Sequence, residues 1–388
     1  MRRKLISFLI PVVVLTFLGI GCRGESATSH TVDLSTIILP SGFEISIYAD
    51  NVPNARSLAL SPNRTLFVGT RQGDKVYALQ DTDGDFVADL QYEIGEGLVM
   101  PNGVAFRDNS LFVAEVSRIL RFDDIENHLL EPPDAVVIFD DFPSDRHHGW
   151  KYIAFGPDGM LYVPVGAPCN VCDRGDPYGT ITRINPDGSG FELFARGIRN
   201  TVGFTWHPET GEMWFADNGR DNMGDDIPAD ELNYAPAAGM DFGFPHVHAG
   251  TILDPEFGQD FEIKGDSELE KSHSVAEFTR PAQLLGPHVA PLGIEFYTGE
   301  NFPESYKNQL FIAEHGSWNR SVKTGYRISM VTIKSDQSTS DYTTFAEGWL
   351  QGEEAWGRPV DIELMLDGSI LISDDLAGVI YRIHYTGK

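Results

Sequence analysis

The clearest pattern along the chain is an alternation of apolar and polar residues that turns and then alternates again. From Ile153 to Gly166 apolar residues alternate on both sides of the turn Gly156-Pro-Asp-Gly159. Because successive residues of a strand point to opposite faces of a sheet, this pattern predicts a β-hairpin. Two histidines, His147 and His148, stand just before the hairpin, where a loop would carry them to a rim.

The same pattern occurs six times, and the repetition predicts the fold. Repeated short strands, here about 50 residues apart in the first four repeats, are typical of propeller blades. The sequence therefore predicts an all-β protein, a six-bladed β-propeller with four strands in each blade. An extra strand, Phe43 to Ala49, precedes the first repeat and is expected to pair with the last blade and close the ring. The hairpins begin at Leu58, Val104, Ile153, Phe204, Ile294 and Ile362.

The longest interval between hairpins contains additional sequence. Residues 224–283 are rich in Asp, Gly, Pro and His. Irregular stretches of this length in compact proteins are usually functional or flexible. We expect an insertion that lies on one face of the propeller domain, residues 38–388, and walls a site.

The first 22 residues have the pattern of an export signal. A basic start, Met1-Arg-Arg-Lys4, precedes an apolar run that is too short for a confident membrane span. The run ends in a sequence that resembles a bacterial lipoprotein cleavage box, so a lipid anchor at Cys22 and ordinary signal cleavage both stay open. Residues 23–37 are small and polar and suit a flexible tether. The expected location is the periplasm, with the protein either free or anchored as a lipoprotein.

The charge of the chain limits its binding partners, and its cysteines predict a disulfide. The chain has 29 Lys and Arg against 57 Asp and Glu, a net charge of −28, which opposes binding to nucleic acid and attracts cations. Besides Cys22 there are two cysteines, Cys169 and Cys172. In an exported protein a disulfide between them is the first expectation, because a zinc site would need more ligands.

Polar residues recur just before the first strand of several hairpins, where propeller loops point at the central channel. Convergence of polar side chains at one structural position favours a functional site. Because neighbouring residues of an extended loop point in opposite directions, only one of the two histidines is expected to face the channel. The residues at this position are Asn102, His147, His148, Arg199, Asn200, His288 and Arg358.

Two acidic stretches could bind a cation. Asp217 to Asn233 combines carboxylates, asparagines and glycines, which suits the oxygen-rich shell of calcium. Asp81 to Asp89 resembles the first part of an EF-hand loop, but its glycine is misplaced and the bidentate Glu is absent, so an Asp-rich turn is at least as plausible. The sequence contains neither the Gly-x-Ser-x-Gly elbow of serine hydrolases nor a phosphate-binding P-loop.

Three stretches, Gly197-Ile-Arg-Asn200, Asp217 to Asn233 and Gly243-Phe-Pro245, resemble the pyrroloquinoline quinone (PQQ) dependent sugar dehydrogenases. The likeness is greatest to the sorbosone dehydrogenase and soluble aldose or glucose dehydrogenase group, and it extends over about residues 38–385. It implies a six-bladed propeller, PQQ and calcium as cofactors, and oxidation of a sugar or related polyol. A small sugar would be the substrate, and a quinone or cytochrome would accept the electrons.

The resemblance also implies roles for individual residues. His148 would be the base that takes the hydroxyl proton, and Arg199 would contact the reactive carbonyl of the quinone. An acidic partner of that histidine would be replaced by His147 or supplied by Asp145, and Ala167-Pro-Cys169 stands where a relative has Asp. The predicted cofactor-binding set is Arg199, Asn200, Arg320, Arg358 and Asn102; Asn102 is included for its loop position, and Arg320 would supply the charge of a family lysine that has no clean counterpart here. The resemblance implies that the carbonyl oxygens of Gly219 and Arg220 bind calcium, and the acidic stretch adds Asp226, Asp230 and Glu231 as predicted ligands.

Two other functions are compatible with the same sequence. A calcium-dependent propeller hydrolase resembling lactonases would explain the acidic stretch but not the arginines. A propeller that only binds a protein or polysaccharide is the other alternative, since fold alone does not define function.

Overall fold

A computed structural model describes residues 31–262 and 273–388, and the six-bladed propeller is confirmed. The predicted export signal and most of the tether lie outside the described residues. Within the described ranges, no helix is long and apolar enough to cross a membrane. Short 3₁₀ turns are formed by Leu34–Thr36, Ile125–Asn127, Val275–Glu277 and Glu304–Tyr306.

The ring closes through its first strand, β1 (Phe43–Ala49), which pairs antiparallel with the last strand of the chain. The predicted closure is confirmed: β1 forms the outer strand of the sixth blade and covers the edge of the last strand of the chain. Phe43 packs edge-on against Phe302 and Phe345, with ring centroids 4.7 and 5.1 Å away, so the closing strand is anchored in the core between blades five and six.

The first three blades follow the predicted hairpins. Blade one contains β2 (Ala55–Leu60), β3 (Leu66–Thr70), β4 (Val76–Gln80) and β5 (Leu90–Ile94). Blade two contains β6 (Gly103–Arg107), β7 (Ser110–Ala114), β8 (Ile119–Phe122) and β9 (Val136–Phe139). Blade three contains β10 (Ala154–Phe155), β11 (Leu161–Val165), β12 (Thr180–Ile184) and β13 (Glu192–Arg196). Each second strand is buried almost throughout, because a blade packs between two neighbours, whereas β5 and β9 lie at the rim and are largely exposed.

Blade four and the insertion are interwoven. The range 224–283, which we expected to be an insertion, contains the third strand of blade four, Glu231–Ala235, so the insertion is narrower than expected. Within it, Met240–Asp241 adds a parallel fifth strand to blade three. Residues 263–272 lie outside the described part. The strands are β14 (Phe204–Trp206), β15 (Met213–Asp217), β16 (Glu231–Ala235), β17 (Met240–Asp241), β18 (Val247–His248), β19 (Ile252–Leu253), β20 (Phe261–Glu262), β21 (His273–Ser274) and β22 (Gln283–Leu284), the last being the outer strand of blade four.

Close packing of the insertion against blade three depends on Gly197. Its φ is +69°, and a Cβ atom there would lie 2.1 Å from Asp241 Oδ1 and 2.4 Å from the Gly243 nitrogen. Only glycine fits this left-handed position without displacing backbone.

The last two blades complete the ring. Blade five contains β23 (Pro291–Phe296), β24 (Leu310–Glu314), β25 (Arg327–Ile333) and β26 (Thr339–Ala346). A small hairpin of β27 (Leu350–Gln351) and β28 (Glu354–Ala355) follows. Blade six contains β29 (Pro359–Leu364), β30 (Ile370–Asp374) and β31 (Val379–Tyr385), and β1 is its outer strand. All six innermost strands begin within a few residues of the predicted starts. The loops that lead into these strands therefore meet at one end of the propeller.

Candidate functional site

The loops at that end enclose a cavity of about 300 Å³. This volume lies at the lower end of the range for small-molecule and cofactor sites. Its lining residues come from blades one, three, four and five, including the loops after β15 and β24. They include Arg56, Arg71, His147, His148, Trp150, Arg199, Asn200, Asn218, Gly219, Asp221, Asp230, His288, His315, Trp318 and Asn319.

His148 is a neutral imidazole with a free nitrogen. Its Nδ1 lies 2.8 Å from the carbonyl oxygen of Ala167. Because a carbonyl only accepts, Nδ1 carries the proton and Nε2 keeps a lone pair; Nε2 bonds to no described residue. Burial, with Arg199 and His147 nearby, holds the pKa of His148 well below its usual value. The group is therefore ready to accept a proton at neutral pH.

Both adjacent histidines line the cavity, with ring centroids 4.1 Å apart, so the expectation that only one would face it is wrong. That expectation assumed an extended backbone, whereas His148 has a left-handed φ of 51°. Such a conformation costs about 1–3 kcal/mol in a non-glycine residue, so the surrounding structure must impose it. Gly166 permits it, since a Cβ atom there would lie 2.7 Å from the Cβ of His148.

The acidic partner expected for His148 does not lie beside it. The carboxylate of Asp145 accepts a hydrogen bond from the hydroxyl of Tyr178, and His147 touches His148 only through its ring. The carbonyl oxygen of Ala167 orients the imidazole instead. The amide of Ala167 in turn donates to the carbonyl oxygen of Arg199 at 2.9 Å, which ties the base to the neighbouring loop.

Arg199 is almost completely buried and its guanidinium is held from several sides. It forms an ion pair with Asp221 at 2.9 Å and donates to the carbonyl oxygens of Asn170 and Asn218 at 2.8 and 3.1 Å. The backbone amides of Arg199 and Asn200 both donate to the carboxylate of Asp217. Their positions in the cavity agree with the predicted cofactor-binding pair. We call His147, His148, Arg199 and Asn200 the base wall.

Two of the predicted calcium ligands, Asp230 and Glu231, are buried, whereas a third, Asp226, is exposed. Burial raises the pKa of Asp230 to about 7 and that of Glu231 to about 8. Asp230 accepts the amides of Gly219 and Ala290, and Glu231 accepts the amide of Ala249, so both carboxylates order the backbone around the site. The structure does not bring these carboxylates together as a ligand cluster.

Two backbone carbonyl groups of the predicted calcium site have no hydrogen-bond donor among the described residues. The carbonyl oxygens of Gly219 and Arg220 accept no hydrogen bond from any described residue, while the side chain of Arg220 pairs with Asp254 of the insertion. Asp226 is exposed and lies 3.5 Å from Arg320, away from these carbonyls. The Gly219–Arg220 backbone is therefore the part of the predicted site that still offers ligands to a hard cation.

The opposite side of the cavity carries an ion-pair cluster of five residues, of which the sequence analysis predicted only Arg358. The buried carboxylate of Asp375 lies 3.1 Å from Arg56, 3.6 Å from Arg71 and 2.8 Å from Arg358, and 3.0 Å from Nε2 of His315. Burial lowers the pKa of His315 to about 4, so this histidine is neutral. Three guanidinium groups thus share one carboxylate, and positive charge is in excess. We call these five residues the cation wall.

Trp150 lies against the cation wall. The guanidinium carbons of Arg71 and Arg56 lie 5.5 and 5.9 Å from the centre of its ring, and its Nε1 donates to the carbonyl oxygen of Arg71. A signal for this wall exists in the sequence, because Arg56 stands at the start of blade one, where the other blades carry their polar loop residues.

The remaining predicted cofactor residues differ in how close they come to the cavity. Arg358 belongs to the cation wall, where its Nε donates to Asp375 at 2.9 Å, but it does not line the cavity. Asn102 lies beneath it and accepts a hydrogen bond from Nε of Arg56 at 2.8 Å, so it supports a lining residue. Arg320 is outside the cavity lining, where it donates to the carbonyl oxygens of Asp225 and Val322.

Within the described ranges, the acidic side chains close enough to share an ion are Asp81, Asp83 and Asp89, at the end of blade one opposite the cavity. Thr82 donates to Asp89, and the amide of Gly84 donates to Asp81. These bonds favour the interpretation as an Asp-rich turn. Cys169 and Cys172 form the expected disulfide.

Comparison with known proteins places this cavity in context. A family model described as TrAA12-like matches residues 180–386. An uncharacterized protein of Borreliella burgdorferi is 34% identical over 364 residues, which cover 90% of this chain and 91% of that protein. A PQQ-dependent pyranose dehydrogenase of Coprinopsis cinerea is 28% identical over 129 residues, 28% of this chain and 17% of that protein.

Solved structures share the whole architecture at low sequence identity. The holo PQQ domain of Coprinopsis cinerea pyranose dehydrogenase superposes with a TM-score of 0.73 at 16% identity, covering 90% of this chain and 97% of that chain. A Trichoderma reesei carbohydrate-active enzyme of family AA12 has a TM-score of 0.74 at 18% identity, with the same coverage. The PQQ-bound aldose sugar dehydrogenase of Streptomyces coelicolor has a TM-score of 0.61 at 20% identity, covering 89% and 99%. These similarities establish the fold.

Proposed function

Because the chain belongs to the TrAA12-like family, we propose that it is a PQQ- and calcium-dependent dehydrogenase of a sugar or related polyol. The family match and the shared propeller confirm the resemblance first inferred from the sequence. The observation that carries the proposal is the meeting, in one cavity, of a neutral histidine with a free nitrogen and a wall of unneutralised arginines.

The cation wall suits PQQ, a planar molecule with three carboxylates. Arg56, Arg71 and Arg358 face the single carboxylate of Asp375, so they can bind further anionic oxygens without losing their present partner. Trp150 offers an aromatic surface beside them. This local positive charge also offsets the repulsion that a chain of net charge −28 would exert on an anionic cofactor.

Calcium fits the backbone beside the base wall. The carbonyl oxygens of Gly219 and Arg220 are free to act as ligands, and Asp230 fixes their loop through the amide of Gly219. Cofactor carboxylates and water would have to supply the remaining ligands, because calcium takes six to eight oxygens. The engagement of Asp230 and Glu231 with backbone amides removes the main support for a calcium-dependent hydrolase.

The residues of the base wall account for proton removal. Nε2 of His148 would take the hydroxyl proton of the sugar, and Nδ1–H would stay bonded to Ala167, which keeps the ring oriented as it becomes positive. Arg199 would stabilise negative charge that develops next to its buried guanidinium group. When bound, PQQ would supply the acceptor for the hydride that leaves the sugar carbon.

The proposal also includes partners and a location, which rest on the family resemblance and on the export signal predicted from the sequence. A small sugar enters through the open end of the cavity, and a quinone or cytochrome removes the electrons afterwards. The protein works in the periplasm, either free or attached to the membrane through a lipid on Cys22. Cell fractionation with and without substitution of Cys22 tests the anchor.

Reconstitution tests the function directly. The purified protein is mixed with PQQ and calcium, the absorption of bound quinone is recorded, and reduction of an artificial dye is measured with a panel of aldoses and polyols. We expect saturable PQQ binding and dye reduction that requires both cofactors. Absence of PQQ binding at micromolar concentration would overturn the proposal; binding without turnover on any sugar or polyol would reduce it to a binding propeller.

A further inference from the structure

Asn170 lies outside the cavity lining but contacts two residues that form it. It stands between Cys169 and Cys172, in the loop that joins β11 to β12, and the disulfide closes this segment into a small ring. All three residues are half-buried. The ring holds Asn170 against the loops that precede β14 and follow β15.

Asn170 makes four hydrogen bonds, two to each of these loops. Its backbone carbonyl oxygen accepts from Nε of Arg199 at 2.8 Å, and its Oδ1 accepts from Nη2 of Arg199 at 2.9 Å. The same Oδ1 accepts the amide of Asp221 at 2.9 Å, and Nδ2 donates to the carbonyl oxygen of Asp221 at 2.9 Å. One side chain therefore fixes both an arginine head group and the backbone of the neighbouring loop.

The two loops contribute different groups to the proposed reaction. The loop before β14 carries Arg199, and the loop after β15 carries the carbonyl groups of Gly219 and Arg220. The loop after β15 holds the guanidinium of Arg199 through the ion pair with Asp221 and the bond from Nη1 to the carbonyl oxygen of Asn218, but neither contact reaches Nε. The contacts from Asn170 to Nε and Nη2 fix a second edge of this planar group.

We propose that Asn170, held by the Cys169–Cys172 disulfide, is a positioning residue that locks Arg199 to the loop after β15 and so maintains the rate of turnover. The last clause rests on the proposed function; the locking itself does not. Asn170 touches neither the cavity nor the reacting atoms, so it acts only through Arg199 and Asp221.

The first test uses the full chain without cofactor. Amide exchange is measured by mass spectrometry for Asn170→Ala and for the control Asn185→Ala, which removes a side chain from a turn at the other end of blade three. We expect exchange at residues 218–221 to rise about tenfold or more in Asn170→Ala, with β11 (Leu161–Val165) unchanged. Equal protection of 218–221 in wild type and variant would overturn the proposal. Loss of protection throughout blade three would overturn it too, because the role would then be general stability.

The disulfide is tested without changing Asn170. Cys169→Ser/Cys172→Ser, and wild type treated with a phosphine reductant, should both show the raised exchange at residues 218–221, and the reductant should add nothing to the double variant. Unchanged exchange after verified reduction would show that the ring does not hold Asn170.

PQQ binding and turnover give the last test. In Asn170→Ala kcat at saturating PQQ should fall about tenfold, and the dissociation constant for PQQ should rise less, while Asn185→Ala matches wild type. Raised exchange with unchanged kcat would confirm the lock but overturn its effect on turnover. If wild type itself binds no PQQ, the proposed function fails, and the exchange data still decide whether Asn170 positions Arg199.

Discussion

The two walls of the cavity are held in place by different interactions. The cation wall gathers three guanidinium groups around Asp375, whose own carboxylate is buried, and its geometry depends on ion pairs. The base wall depends on backbone groups: Ala167 orients His148, and Asp217 holds the amides of Arg199 and Asn200. One wall has surplus charge and the other has a neutral acceptor of protons. Binding and chemistry should therefore respond to different substitutions.

The largest effect is expected from removal of calcium, which would lie next to the base wall. Exhaustive chelation should abolish dye reduction and lower the thermal unfolding midpoint of the PQQ-loaded protein, because a ligand bound only by the native state stabilises it by mass action. Activity and unfolding midpoint are measured before and after chelation, with metal content verified, and calcium is then restored. Full activity in metal-free protein would remove calcium from the account.

Arg199→Lys probes the base wall next. Lysine keeps the charge but cannot reproduce the forked contacts to Asn170, Asn218 and Asp221, so turnover should fall about 10²-fold while PQQ still binds. The measurement is kcat at saturating PQQ, together with the PQQ dissociation constant. Wild-type turnover in this variant would show that Arg199 does not act on the reaction.

Arg71→Gln probes the cation wall. Arg56 and Arg71 are the arginines of this wall that line the cavity, and Arg71 is the more accessible of the two. We expect PQQ affinity to fall about tenfold, more at low salt than at high salt, with little change in kcat once PQQ is saturating. Arg107→Gln is the matched control, because Arg107 also lies over an aromatic ring, that of Phe155, but outside the cavity. A loss of kcat instead of affinity would break the division between the walls.

The smallest effect is expected from a change of pH above the usual histidine pKa. Such a change should not alter the protonation of the histidines in either wall. Burial lowers the pKa of His148 well below 6.5 and that of His315 to about 4, so both are neutral there. On acidification turnover should fall as His148 gains a proton and ceases to be a base. PQQ affinity should not fall with it, because protonation of His315 adds positive charge to the cation wall. Titrations of kcat/KM and PQQ affinity from about pH 8 to pH 4 check this. Because the buried carboxyls of Asp230 and Glu231 have pKa values raised to about 7 and about 8, the same titrations are made on Asp230→Asn and Glu231→Gln. An acid limb of kcat/KM at or above 6.5 that persists in both variants would contradict the buried, neutral His148.

The blades could be predicted because their signal is local. Each hairpin carries its own alternation and turn, and the closing strand Phe43–Ala49 is visible as an alternation without a partner. The third strand of blade four was hidden, because Asp230 and Glu231 resemble an exposed acidic loop. In the folded chain these carboxylates are buried and accept backbone amides, which no pattern of apolar residues reveals.

The site could be predicted only in part, for a related reason. His148, Arg199 and Asn200 belong to short motifs, so their positions follow from the residues around them. The cation wall instead joins residues that are remote in sequence, since Arg56 and Asp375 are 319 positions apart. The left-handed backbone of His148 was equally hidden, and it is the reason that both histidines reach the cavity.

The central claim, that His148 is the base, is tested most directly by single-turnover reduction of bound quinone. The experiment mixes sugar with protein saturated in PQQ and calcium and compares His148→Ala with its exposed neighbour, His147→Ala. We predict that His148→Ala binds PQQ normally but reacts about 10²–10⁴-fold more slowly, the usual contribution of a general base, while His147→Ala stays near wild type. A near-wild-type rate in His148→Ala with a severe loss in His147→Ala would contradict the account and assign the base to the other histidine.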